Sequence, residues 1–72
     1  MKATLEFNLP DEQTEHYNAI NGGTFRYCLQ ELEGELRNWI KYGHTFEDAH
    51  EALIATRKHL NDLIHDNDLV LD

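Results

Sequence analysis

Residues 3–9, ATLEFNL, alternate in polarity: Leu5, Phe7 and Leu9 fall on one side, Thr4, Glu6 and Asn8 on the other. A period of two predicts a strand with one buried face, and Pro10 ends it. Asn8 followed by Asp11 offers an N-cap arrangement in which Pro10 is tolerated in the first turn. Asp11 and Glu12 then lie where the helix dipole favours negative charge. The expected product is a short helix over roughly 10–20, closed by the breaker Asn21-Gly22-Gly23. Its apolar side is thin, with Tyr17 and Ile20 sharing the arc with Gln13 and His16.

From 24 to 42 the period becomes helical. Phe25, Cys28, Leu29, Leu32, Leu36, Trp39 and Ile40 project within an arc of about 120°, the width of a core-facing stripe. Thr24 suits the start of this helix, and Gly43 suits a left-handed position past its end. Arg37 and Lys41 sit near the carbonyl end, where positive charge is favourable. A further helix opens at Thr45-Phe46-Glu47-Asp48, with Thr45 as N-cap and acids in the first turn. Phe46, Ala49, Leu53, Thr56, Leu60, Leu63 and Ile64 make its stripe, which fades near Asp66-Asn67. Leu69-Val70-Leu71 is read as a short strand beside residues 4–8.

Only Gly43 and His44 separate the two long helices on this reading, which predicts an antiparallel helical hairpin. The strand and the short helix would close its open side. The expected fold is therefore α+β, mostly α, in one small domain spanning 1–72. No internal repeat, linker or low-complexity segment interrupts it.

Length limits what such a domain can bury. Seventy-two residues hide only about 60% of the surface the unfolded chain exposes, so oligomerisation or partner binding would help. Homodimerisation through the strand edge or the second helix would serve this need. A hydrophobic content of 40% with 28% charged residues is that of a globular chain. Fourteen acidic against six basic residues give a formal charge of −8, which disfavours general nucleic-acid binding and anionic membranes. No signal-peptide core follows Met1, and no apolar run approaches the ~20 residues of a membrane span. Cytoplasmic residence is the default expectation, and the single cysteine forms no internal disulfide.

Candidate chemistry is thin. The five histidines, His16, His44, His50, His59 and His65, have no i,i+4 pair, and His59 and His65 point about 120° apart on one helix. A zinc site needs convergence that this spacing does not supply. Cys28 lies on the core stripe, where a thiol is a small, unreactive hydrophobe. The carboxylate groups Glu31/Glu33/Glu35, Glu47/Asp48/Glu51 and Asp62/Asp66/Asp68 read as solvated faces. Asp66-Asn67-Asp68 opens like a calcium loop but lacks its glycine and closing glutamate. No glycine-rich phosphate loop is present. The expectation is a non-enzyme with no metal or cofactor.

Two outer faces remain. Opposite the stripe of the 24–42 helix, Gly34 is ringed by Arg26, Arg37 and Lys41 on one flank and by Tyr27, Asn38 and Tyr42 on the other. A mid-helix glycine costs about 1 kcal/mol relative to alanine. A glycine framed by arginine and tyrosine allows close approach of another chain, so Arg26, Tyr27, Gly34, Arg37, Lys41 and Tyr42 are the candidate partner-binding residues. The bland alternative is a tolerated surface glycine. On the last helix, Glu47, Asp48, Glu51, Asp62 and Asp66 form an acidic row broken by Ala55 and Lys58. Such a row can imitate phosphates, although 48 to 62 covers about 21 Å of helix while a duplex carries a charge every ~1.7 Å.

ATLEFNLP (3–10), Asn21-Gly22 and the run LxELxxxLRNWIKYG (29–43) resemble small acidic proteins encoded in tailed bacteriophage genomes. The similarity covers fold-forming residues over most of the chain and carries no catalytic motif. Gly34 departs from the larger residue expected at that position. The resemblance implies a protein acting in the bacterial cytoplasm by binding a host protein. It would inhibit a defence or replication factor, or be sensed by a defence system. The alternative functions are a DNA mimic that occupies the nucleic-acid site of a host enzyme and, less favoured, a metal-binding protein.

Overall fold

The computed structural model describes residues 1–71 as two helices, α1 (Gln13–Tyr42) and α2 (Ala49–Asp66), joined as a hairpin. The antiparallel arrangement is fixed by contacts that run in opposite order along the chain. Trp39 meets His59, Cys28 Sγ lies 3.7 Å from the Leu63 carbonyl, and the Val70 N–H donates to Tyr17 Oη at 2.7 Å. At about 1.5 Å per residue α1 is ~45 Å long and α2 ~27 Å, so the first turns of α1 overhang the end of α2. The molecule measures 50 × 30 × 17 Å. Its thinnest dimension is little more than one helix with side chains.

The α+β expectation is overturned: no strand occurs among the described residues. A strand at 3–9 needs a ladder partner, and the segment meant to supply it goes elsewhere. Residues 69–71 fold back against Gln13, Thr14, Tyr17 and Asn18 of α1, where Leu69 becomes buried. Residues 1–8 carry no regular structure, and the alternating apolar side chains instead lie along the start of α1. Phe7 meets His16 edge-on at 5.4 Å, and Leu5 and Leu9, still mostly exposed, line an open cleft with Ala19 and Ile20.

The break expected at Asn21-Gly22-Gly23 is also absent, and the short helix and the 24–42 helix are one. Local propensity opposes this by about 2 kcal/mol for two glycines. The packing favours continuity. Tyr17 and Phe25 lie on either side of the glycines with their rings 6.2 Å apart, and Tyr17 also holds the C-terminal tail. Asn21 turns its amide back to the Tyr17 carbonyl at 3.0 Å, bonding within the helix. Neither glycine is needed for space or for a positive φ, since a Cβ at either would meet nothing within 4 Å. Gly22→Ala and Gly23→Ala are therefore expected to stabilise the protein by about 0.5–1 kcal/mol each. Thermal melts followed by circular dichroism would show the gain; a loss at either position would mean that the glycines mark a required hinge.

The loop is longer than two residues. Gly43 adopts φ 101°, a conformation that favours glycine, and its N–H closes on the Trp39 carbonyl at 3.1 Å. α2 starts at Ala49, with Asp48 rather than Thr45 as N-cap. The Asp48 carboxylate accepts the Glu51 N–H at 2.9 Å, while Glu51 reaches back to the Glu47 N–H at 2.9 Å. Two orphan donors are thus satisfied in a reciprocal arrangement related to the capping box. Between helix and cap, Phe46 folds under Trp39 with ring centroids 5.0 Å apart and stacks on His44.

At its other end α2 closes with a Schellman motif. Asp68 takes a positive φ of 55°, its N–H donates to His65, and the Leu69 N–H donates to Ile64 at 2.9 Å. Asp66-Asn67-Asp68 is therefore a helix terminus.

The packed seam is narrow. Among the described residues only Cys28 and Leu69 are buried. Phe25, Leu32, Leu36 and Trp39 of α1 face Thr56, Leu60, Leu63 and Ile64 of α2 in a half-buried layer. Ala52, Ala55 and His59 also turn inward, so the contact face of α2 is rotated from the stripe read in the sequence, and Ala49 and Leu53 are exposed. On α1, Leu29 and Ile40 are likewise left out.

Candidate interaction surface

α1 places the candidate residues on a single continuous helix. Arg26, Tyr27, Arg37, Lys41 and Tyr42 are exposed there, and Gly34 lies half-buried among them with open space above its Cα. Arg37 is bidentate to Glu33 one turn earlier, through Nε at 3.2 Å and through Nη2, but both side chains stand largely in solvent. An exposed i,i+4 pair of this kind contributes a few tenths of a kcal/mol and remains free to exchange partners. Lys41 Nζ lies 5.3 Å from the centre of the Tyr42 ring. The structure thus places all six candidate residues on one helix, though Tyr42 projects well away from Arg26 around the axis.

Helical geometry extends this face beyond the residues chosen from the sequence. At 3.6 residues per turn, Gly23, Arg26, Tyr27, Gln30, Gly34, Arg37, Asn38 and Lys41 share one stripe. It contains three cations and no carboxylate, in a chain with fourteen acidic residues and six basic ones. The absence of acids between Gly23 and Lys41 at this spacing was readable from the sequence, but only once the helix was known to run through Gly23.

The acidic row on α2 is less continuous than its spacing implies. Asp48 and Glu51 are engaged with backbone N–H groups of the cap, and Ala55 faces the seam. Asp62 accepts from Lys58 Nζ at 2.7 Å. This hydrogen bond and charge lower the carboxyl of Asp62 and raise the ammonium of Lys58 from their ordinary values.

The histidines do not converge. His16 lies against Phe7 at one end and His65 beside Asp66, while His44 and His59 flank the Phe46–Trp39 aromatic pair at the closed end. Among the described residues no group of three or more His, Cys, Asp or Glu side chains is arranged to hold a metal ion. Cys28 is buried in the seam beside Leu63. No helix of the described residues is long and apolar enough to cross a membrane.

The sequence reading missed one surface. It assigned a strand and a short helix to close the hairpin, and neither is there to do so. The two sides of the seam differ in character. One side carries Thr24 and Glu35 of α1 beside Ala52, Ala55 and His59 of α2. Helical periodicity in an antiparallel pair brings Leu29, Leu36 and Ile40 of α1 to the same opposite side as Leu53, Leu60 and Ile64 of α2. Leu29, Ile40 and Leu53 are 65%, 85% and 69% exposed.

No protein-family model, curated protein or solved structure matches this chain.

Proposed function

We propose that this chain is a non-enzymatic interaction module that binds a bacterial host protein through the outer face of α1. The reading keeps the setting implied by the resemblance to small phage proteins: action in the host cytoplasm, on a defence or replication factor that it inhibits or that senses it. The observation that supports it is the carboxylate-free stripe from Gly23 to Lys41, which sets arginine, lysine and tyrosine around the Gly34 backbone. Arginine and tyrosine supply directional hydrogen bonds and large contact area, and glycine lets a partner approach the helix closely. A chain otherwise this acidic would repel an acidic partner over most of its surface, and this stripe is its one cationic face on α1.

Gly34→Arg tests the reading. The substitution fills open space on an exposed helix face, so the melting temperature should stay level or rise. A bacterial protein captured stoichiometrically by the wild type, and retained at high salt, should be lost by this variant. Equal capture by wild type and variant would remove the α1 face from consideration.

A further inference from the structure

We infer that the apolar side of the hairpin is covered by a second copy of this chain, giving a two-fold four-helix assembly with Leu29, Leu36, Ile40, Leu53, Leu60 and Ile64 at its centre. The inference rests on the geometry of the hairpin and is independent of the host-partner reading.

Surface area carries the first part of the argument. A compact monomer of 8.4 kDa is expected to expose roughly 4,600 Å². This chain exposes 6372 Å². The excess, roughly 1,800 Å² per chain, lies within the ~1,000–2,500 Å² that each subunit of an obligate dimer hides. The radius of gyration agrees: 16.6 Å against about 11 Å for a globular chain of this length. A domain needs two packed layers to bury an apolar face, and a molecule 17 Å thin has one. A second hairpin supplies the missing layer with helices of matching length.

Charge decides which face can meet itself. Two chains of formal charge −8 repel, so self-association needs a contact free of carboxylates. On the apolar side, α1 presents Leu29, Leu36 and Ile40, and α2 presents Leu53, Leu60 and Ile64, with Arg57 at the margin. No acid falls within either row, and Glu33, at the margin beside Leu29 and Ile40, is paired with Arg37. The outer stripe of α1 is also free of acids, but pairing it with its own copy would bring Arg26, Arg37 and Lys41 against like charges. The N-terminal cluster of Leu5, Leu9 and Ile20 lies at one end of the molecule and lacks the length of a helix-pair contact. The predicted assembly buries the leucine face, leaving the Gly34 stripe outward on both copies.

Sedimentation equilibrium of the full chain at micromolar concentration is the test, with the salt concentration varied. A mass of twice the chain is expected, with association tightening as salt screens the repulsion between copies. The double variant Leu29→Glu/Leu53→Glu should weaken self-association by more than about 100-fold, whereas Gly34→Arg should remain dimeric. Because the double variant risks losing its fold, the wild type is also mixed as labelled and unlabelled copies for filtered nuclear Overhauser spectroscopy. Intermolecular contacts among the methyls of Leu29, Leu36, Ile40 and Leu53 are expected. A monomer at every concentration, or intermolecular contacts confined to the Gly34 stripe or the Leu5/Leu9/Ile20 cluster, would overturn the inference. Either result leaves the host-partner reading to be judged by its own variant.

Discussion

Leu69→Ala is expected to destabilise the protein by about 2–4 kcal/mol, the usual cost of truncating a buried leucine. Leu69 is one of the two buried residues among those described, at 6% exposure, and its position is set by several independent features. The Schellman turn at Asn67-Asp68 aims it back toward the hairpin, and the Val70 N–H anchors the following residue to Tyr17. It fills the end of the seam that α2 is too short to cover. The effect should be uneven along α1. Residues 13–24 contain Gly22 and Gly23 and depend on the tail for their packing, so their amide protection should fall most in hydrogen exchange. The segment from Cys28 to Trp39 should keep its protection relative to global unfolding. Uniform loss of protection would show that the overhang and the paired region unfold as one unit.

Trp39→Ala is expected to cost about 3 kcal/mol, at the low end for truncating a large aromatic because Trp39 is only half-buried. Trp39 sits where three elements meet: the last turns of α1, the loop through Phe46 at 5.0 Å, and α2 through His59 at 6.3 Å. Both contacts are edge-on, the arrangement preferred by aromatic rings. Without the indole, Phe46 and His59 lose their common surface and the loop loses its anchor, so α2 should separate from α1 at the closed end. Trp39→Phe keeps an aromatic edge and should recover most of the loss. Denaturation followed by circular dichroism gives the comparison. A cost below about 1 kcal/mol for the alanine variant would mean that the aromatic cluster contributes little to closing the hairpin.

The two ends of the hairpin were unequally legible in the sequence. At the closed end, Gly43 past the last helical turn was readable, because its position follows a run of helical period and glycine favours the φ observed there. The N-cap of α2 was misplaced by three residues, at Thr45 instead of Asp48. Both offer a side-chain acceptor, and the choice depends on Glu51 lying three residues after Asp48 and on Phe46 being drawn under Trp39. At the open end, residues 69–71 were read as a strand from composition. Their actual role depends on α1 extending past the end of α2, which a sequence interrupted by Asn21-Gly22-Gly23 conceals.

The six candidate interaction residues came from helical spacing on the strongest segment of the chain, and spacing alone puts all but Tyr42 away from the seam. The apolar side of the hairpin did not come from spacing. Leu29 and Ile40 belong to the same arc as Leu36 and Trp39, so nothing local separates residues packed in the seam from residues left outside it.

What the sequence by itself determined is local: two long segments of helical period, a glycine stop between them, and a strongly acidic chain. Periodicity and backbone preference act over a few residues and survive any tertiary context. Only the tertiary structure decided that the glycine pair lies inside a helix, that residues 3–9 form no strand, and that the apolar arc divides into a seam and an open face. Each of those outcomes depends on a partner distant in the chain. Tyr17 and Phe25 hold the helix across Gly22-Gly23, the tail at 69–71 packs on α1 and so is not available as a ladder partner, and α2 is wide enough to cover only half of what α1 presents.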